Sequence, residues 1–125
     1  MMYTTDIQVR FRDLDPMKHV NNALYVTYLE QARAEFYEEV VDVPLADIDT
    51  ILTYLEVAYE QAIDSVGTVT VELEVSDLGT SSIPMEYEIR FSDERYATAE
   101  TVQVFFDPET KESRPIPDRY RERLI

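Results

Sequence analysis

The chain has no cysteine, two glycines, one histidine and two lysines among its 125 residues, and each scarcity removes a class of chemistry. Without cysteine there are no disulfides, no thiolate metal ligands and no cysteine nucleophile. Two glycines cannot build a glycine-rich phosphate cradle, and no GxSxG nucleophile elbow occurs. A zinc site needs more imidazole or thiolate than His19 alone offers. No metal and no cofactor are therefore expected, although an all-carboxylate site for a hard cation stays open. No apolar run is long enough to cross a bilayer. The opening stretch MMYTTDIQVRF lacks the basic and apolar regions of a secretory signal, which points to the cytoplasm. The chemistry that remains belongs to carboxylates, one imidazole and backbone dipoles.

What is abundant is negative charge. Twenty-six acidic residues face eleven basic ones, for a formal charge of −15. Such a surface repels nucleic-acid phosphates and anionic membranes, so neither is expected as a partner. A disordered acidic chain is excluded by the 45% apolar content, interleaved with the charges throughout. Few lysines, retained arginines and many carboxylates fit a halophilic, haloarchaeal cytoplasm. In molar salt the Debye length falls to about 3 Å, and self-repulsion is screened.

The length bounds one domain over 1–125 with a single core. Period-2 alternation predicts strands in TVTVELEVSDL, with Val69, Val71, Leu73 and Val75 on one face, and in SIPMEYEIRF, where Ile83, Met85, Tyr87, Ile89 and Phe91 alternate with polar residues. Further strands are expected over 51–63 and 96–106. Turns at Gly67, Gly79 and 92–95 then imply a four-stranded antiparallel meander. A first strand over 3–12 puts Tyr3, Ile7, Val9 and Phe11 on one face. One segment, 23–41, is strongly helical, with Tyr25, Leu29, Ala32, Phe36 and Val40 as its buried stripe. Asn21 or Asn22 can cap its start, and Pro44 marks its end. One helix on one sheet makes an α+β fold. The polar stretch 107–125 reads as a loosely packed C-terminal tail.

The informative stretch is FRDLDPMKHVNN, 11–22. Pro16 stops strand continuation after Asp15, and the chain turns and enters the helix. The free N–H groups there carry partial positive charge. Asp15 and His19 are thus delivered to a helix mouth, where backbone N–H groups can hold an oxyanion and a carboxylate can attack a carbonyl or activate water. Acyl transfer to water suits that set. The plainer reading, that Asp13 and Asp15 terminate a turn and the asparagines only cap, stands beside it on these residues alone.

FRDLDPMKHVNNALYVTYLEQAR resembles the signature of the 4-hydroxybenzoyl-CoA thioesterase-like acyl-CoA thioesterases of the hotdog fold. That pattern is an aromatic, D-x-D-x-x-G-H-V-N-N, then an aromatic-rich helix ending E-x-A-R. The similarity continues through GTSS at 79–82 and RPIPDRYRERL. The resemblance implies one long helix wrapped by a curved five-stranded antiparallel sheet, assembled as a homodimer or homotetramer. It also implies hydrolysis of an acyl-CoA thioester, CoA being part of the substrate. On this reading Asp15 is the catalytic carboxylate, His19 orients water or substrate, and the Asn22 backbone N–H polarises the carbonyl. Val20, Asn21, Ser81 and Ser82 fall on substrate-binding stretches, and Asp13 braces the loop. Glu30 and Arg33 can pair at i,i+3. One departure stands out: Lys18 occupies the place of the usual glycine, which permits positive φ. An acyl-CoA-binding sensor without turnover and a hotdog thioester dehydratase are the competing readings.

Overall fold

A computed structural model describes residues 2–125. Its elements in chain order are β1 (Met2–Val9), α1 (Asn22–Phe36), β2 (Thr50–Tyr59), β3 (Gly67–Val75), β4 (Ser82–Phe91), β5 (Glu94–Phe105) and α2 (Asp118–Leu124). The five strands form one antiparallel sheet in the order β1-β3-β4-β5-β2, and α1 lies across its inner face. This is the expected hotdog arrangement of a curved sheet around one long helix. No helix among the described residues is long and apolar enough to cross a membrane.

The alternation in β3 and β4 sorts as the sequence implies. Val69, Val71, Leu73, Ile83, Met85, Tyr87 and Ile89 are buried against the helix stripe of Tyr25, Leu29, Ala32 and Phe36. Their neighbours face water, and the register sets Glu74, Glu86, Glu100 and Glu56 directly opposite one another across four strands. The β4–β5 hairpin turns at Ser92 and Asp93, both with positive φ (52° and 63°), as a two-residue turn matched to strand twist requires. Gly67 has φ 154°, and a Cβ there would lie 3.0 Å from the Phe91 ring. It opens β3 at a positive φ that favours glycine, with the Phe91 ring close enough that a Cβ would have to push it aside.

Five expectations need correction. The first strand stops at Val9, not Arg12. The Arg10 N–H donates to Asp13 Oδ2 at 3.0 Å, and Asp13 N–H returns to the Arg10 carbonyl at 2.9 Å. That winds Phe11–Asp13 into a 3-10 turn, burying Asp13 and leaving Phe11 84% exposed.

Secondly, β2 is not part of a four-strand meander. The helix continues through a π turn, Tyr37–Val41, to Asp42 in the left-handed region. Tyr37 O–H there donates to Gln103 Oε1 at 2.7 Å. The chain therefore emerges beside the far end of β5, and Thr50 pairs with Phe105. Thirdly, β2 ends at Tyr59, because the Glu60 and Gln61 N–H groups both donate to the Tyr96 carbonyl (2.9 and 3.1 Å) and the ladder breaks.

Finally, the segment after 107 is not loose. Ile116 and Leu124 are buried, the Tyr120 ring stacks on Phe105, and Arg121 Nη2 donates to the Gly79 carbonyl at 2.6 Å. The expected Glu30–Arg33 pair also fails to form: Arg33 is 4% exposed and donates to the Tyr87 hydroxyl at 3.3 Å, while Glu30 faces solvent.

Candidate active site

The 13–21 stretch is a miniature hairpin. Leu14 bridges Val20, Asp15 N–H donates to the His19 carbonyl (2.8 Å), and Asn21 N–H donates to the Asp13 carbonyl (3.0 Å). Pro16, Met17 and Lys18 form its exposed tip. The tip closes on Asp15 itself: its carbonyl accepts from Lys18 N–H at 2.8 Å, and its Oδ1 accepts from Met17 N–H (2.9 Å) and His19 N–H (3.2 Å). The turn-closing role is real, yet it occupies one carboxylate oxygen. Asp15 Oδ2 has no partner among the described residues. Lys18 holds φ 64°, so the loop follows the path a glycine would allow.

Asp13 anchors the base of this hairpin. It is 2% exposed. It accepts from Arg10 N–H, from the Arg10 guanidinium (3.1 Å to Nη2) and from Tyr28 O–H (2.8 Å). Burial alone raises a carboxyl pKa; here the Arg10 backbone N–H, the Tyr28 hydroxyl and the Arg10 charge outweigh it and hold Asp13 below the usual range. Burial, together with the same carboxylate, pushes the Tyr28 phenol well up. Asp13 is a brace, fully engaged.

The helix start is wired so that one donor stays free. Val20 N–H goes to the Ile63 carbonyl (2.8 Å), Ala23 N–H to Asn21 Oδ1 (2.9 Å) and Leu24 N–H to the Asn21 carbonyl (2.9 Å). Asn21 is therefore the cap. The Asn22 N–H donates to no acceptor among the described residues, as the first amides of a helix do when nothing caps them. It opens on a cleft of about 330 Å³ whose loop-side wall is Asp15, Met17, His19, Val20 and Asn22.

The opposite wall is the chain just beyond β2: Tyr59, Glu60, Gln61 and Ala62, with Tyr25 at the floor. Tyr59 O–H donates to the Asn22 carbonyl at 2.8 Å, its ring meets Tyr25 edge-on at 4.9 Å, and Tyr25 Oη accepts the Ile63 N–H at 3.3 Å. Burial raises the Tyr25 pKa, so it stays a neutral phenol. A second hollow of about 300 Å³ lies on the outer sheet face among six glutamates. It contains no helix terminus to hold an oxyanion, which leaves the cleft as the candidate site.

The structure thus brings Asp15, His19, Val20 and Asn22 together, with Asn21 at their edge as the cap. Ser81 and Ser82 are not with them in this chain. They sit at the start of β4, where the Ser81 carbonyl accepts Phe105 N–H and the Ser82 carbonyl accepts Gly79 N–H, about 30 Å along a ten-residue strand from the cleft end. Sequence reasoning missed Tyr59 and 60–62, which reach the cleft only through tertiary contacts, and treated Tyr25 as core alone. Among the described residues no group of three or more His, Asp or Glu side chains is placed to hold a metal.

Comparisons with known proteins bear on the fold and the family. The model of the thioesterase-like superfamily matches residues 9–124. A thioesterase from Thermus thermophilus, solved with coenzyme A and zinc, is 32% identical over 97% of this chain and 95% of its own, with a TM-score of 0.88. A predicted thioesterase from Bacillus stearothermophilus is 27% identical, covering 99% and 94%, with a TM-score of 0.91. The DHNA-CoA thioesterase of Staphylococcus aureus is 26% identical, covering 95% and 83%, with a TM-score of 0.83. A search of curated proteins found no match. With the family pattern running from the end of β1 to α2 and the cleft formed at its signature loop, this chain belongs to the thioesterase-like superfamily.

Proposed function

We propose that the protein is an acyl-CoA thioesterase in which Asp15 works on a thioester carbonyl held by the Asn22 N–H. The observation that carries this is the pairing, in one cleft, of a carboxylate oxygen with no partner and a helix-terminal N–H with none. The carbonyl oxygen takes the Asn22 N–H, where negative charge grows as the tetrahedral species forms. Asp15 Oδ2 either removes a proton from an attacking water or adds to the carbonyl carbon itself, and water then cleaves the resulting anhydride. In both routes the C–S bond breaks, the sulfur leaves as thiolate and takes up a proton, and acid and CoA result. His19, exposed and with no hydrogen bond to its ring among the described residues, orients the water or the leaving group. A cytoplasmic setting suits that substrate.

The functional unit is a pair of chains in this reading. β2 is an edge strand whose Ile51, Leu52, Tyr54, Leu55 and Tyr59 are between 38% and 47% exposed. Such an edge invites a second strand. Antiparallel pairing of two β2 edges sets the Thr50 end of one copy beside the Tyr59 end of the other. Since Ile51 neighbours Val104 and Val104 neighbours Ser82, that pairing carries the second copy's Ser81 and Ser82 toward this cleft.

Thiol release from a panel of acyl-CoA esters tests the hydrolase reading. Wild type is expected to turn over, and Asp15→Asn to lose at least about 100-fold in kcat. Binding without release in wild type would leave a sensor. Equal rates in the two proteins would remove Asp15 from the chemistry.

A further inference from the structure

The substrate proposed above is a polyanion, and the chain that must receive it carries a charge of −15. Where cations are left free therefore matters more here than in an ordinary protein. Residues 1–106 contain six lysines and arginines. Arg33 is buried. Arg10 is paired with Asp13, Arg90 with Glu72 and Glu88, and Arg95 with Glu60 and Glu88. The two that remain, Arg12 and Lys18, are exposed and have no carboxylate partner among the described residues. Lys18 lies between two cleft-lining residues, and Arg12 lies in the 3-10 turn that leads into the same hairpin.

Lys18 is the more telling of the two. It forms the tip of the miniature hairpin between Met17 and His19, both of which line the cleft. It sits at φ 64°, a region that disfavours any residue with a Cβ. A long cationic side chain is thus held in a conformation that suits glycine, at the mouth of the candidate site. Lys111 holds the same conformation in a turn far from the cleft, so what singles out Lys18 is its position between two cleft-lining residues together with its unpaired charge. The remaining cations, from Lys111 onward, belong to the segment that packs beside Gly79, Thr80 and Phe105, at the other end of this chain's own sheet; in the proposed pair they approach the cleft only from the second copy, where Arg121 is already held by the Gly79 and Thr80 carbonyls.

We propose that Lys18, assisted by Arg12, docks the phosphate groups of a phosphorylated thioester substrate outside the cleft mouth. The inference rests on the thioesterase reading and adds a specificity element to it. The thioester end enters between the hairpin and the Tyr59–Ala62 wall, while the pantetheine arm leaves the phosphates in solvent beside the hairpin tip. There one or two unpaired cations offset the repulsion of the rest of the surface.

The test compares an acyl-CoA with the same acyl group on N-acetylcysteamine, which carries no phosphate, at the lowest KCl that keeps the protein folded by circular dichroism. Lys18→Gly is the first variant, since glycine fits the backbone there and folding is not threatened. Lys18→Glu is the second. KM for the CoA ester is expected to rise about 5-fold in Lys18→Gly and further in Lys18→Glu. The N-acetylcysteamine ester should change less than twofold. The gap between the two esters should close in molar KCl, where the Debye length is about 3 Å. Equal changes for both esters, or none for the CoA ester, overturn the proposal. If wild type hydrolyses neither ester, the thioesterase reading fails by itself. Calorimetric binding of free CoA then decides the docking site: weaker binding by Lys18→Glu supports it, and equal or absent binding removes it.

Discussion

Replacing Lys18 by glycine should make the protein more stable, although it removes one of only two lysines. The magnitude follows from φ 64°. A residue with a Cβ in the left-handed region loses roughly 1–2 kcal/mol relative to glycine. Glycine returns about 0.4–1 kcal/mol of that through the greater freedom of its unfolded chain. The net gain is about 0.5–1 kcal/mol. At roughly 2.1 cal/mol/K per residue, 125 residues unfold with about 0.26 kcal/mol/K of entropy, so Tm should rise by about 2–4 °C. Lys18→Ala is the matched control: it removes the same charge, keeps the Cβ and should change Tm by less than 1 °C on the same scale. Lys111, at φ 65° in the turn closed by its N–H to the Asp107 carbonyl, gives a second control far from the cleft. Lys111→Gly should gain by a similar amount. Thermal melts at one fixed KCl concentration check all three. If Lys18→Gly melts at or below Lys18→Ala while Lys111→Gly is stabilised, the strain argument fails at the hairpin.

Asp13 makes stability depend on pH. Its native pKa is lowered, so its contribution is present above the ordinary carboxylate value of about 3.9 and fades as pH falls through the native value. Tyr28→Phe should therefore lose about 1.5–3 kcal/mol by urea denaturation at neutral pH, and that difference should shrink in acid once Asp13 is protonated. The glutamate row makes stability depend on salt: Glu86 lies between Glu74 and Glu100, and like charges opposite one another destabilise a sheet. Circular dichroism during a KCl titration should show folding completed by salt and a lower midpoint for Glu86→Gln; a full fold without salt would count against the halophilic reading. Leu55→Lys, on the exposed β2 edge, should shift sedimentation from dimer to monomer, and a wild type that already sediments as a monomer would refute the pairing.

What the sequence discloses is what local periodicity controls. Val69 to Val75 and Ile83 to Phe91 alternate with polar residues, and both strands appear where that pattern places them. The helical run was legible for the same reason, down to its end, although the last turn widens to the π form. Phe11 fits the first strand's alternation and still points to water, because four hydrogen bonds between Arg10 and Asp13 override a two-residue period. The place of β2 beside β5 depends on where α1 delivers the chain, which no window of residues records. Arg33 looked like a surface partner for Glu30 and is instead enclosed with Tyr87 and Thr101, its Nε unpaired. At the site, the hairpin half was readable as a motif. Tyr59 and its successors were not, since a broken ladder against the Tyr96 carbonyl carries them there.

The row of carboxylates has a further effect on how copies of this chain can meet. Six glutamates, from Glu56 to Glu100, ring one hollow on the outer sheet face. Laying two such faces together would bring twelve like charges into a gap with little water, a geometry whose Coulomb cost dilute buffer cannot offset. Stacking sheet on sheet is thereby disfavoured in low salt and should become easier as counterions accumulate. Glu56 carries that row onto β2 itself, so the edge pairing proposed above should also be eased by salt.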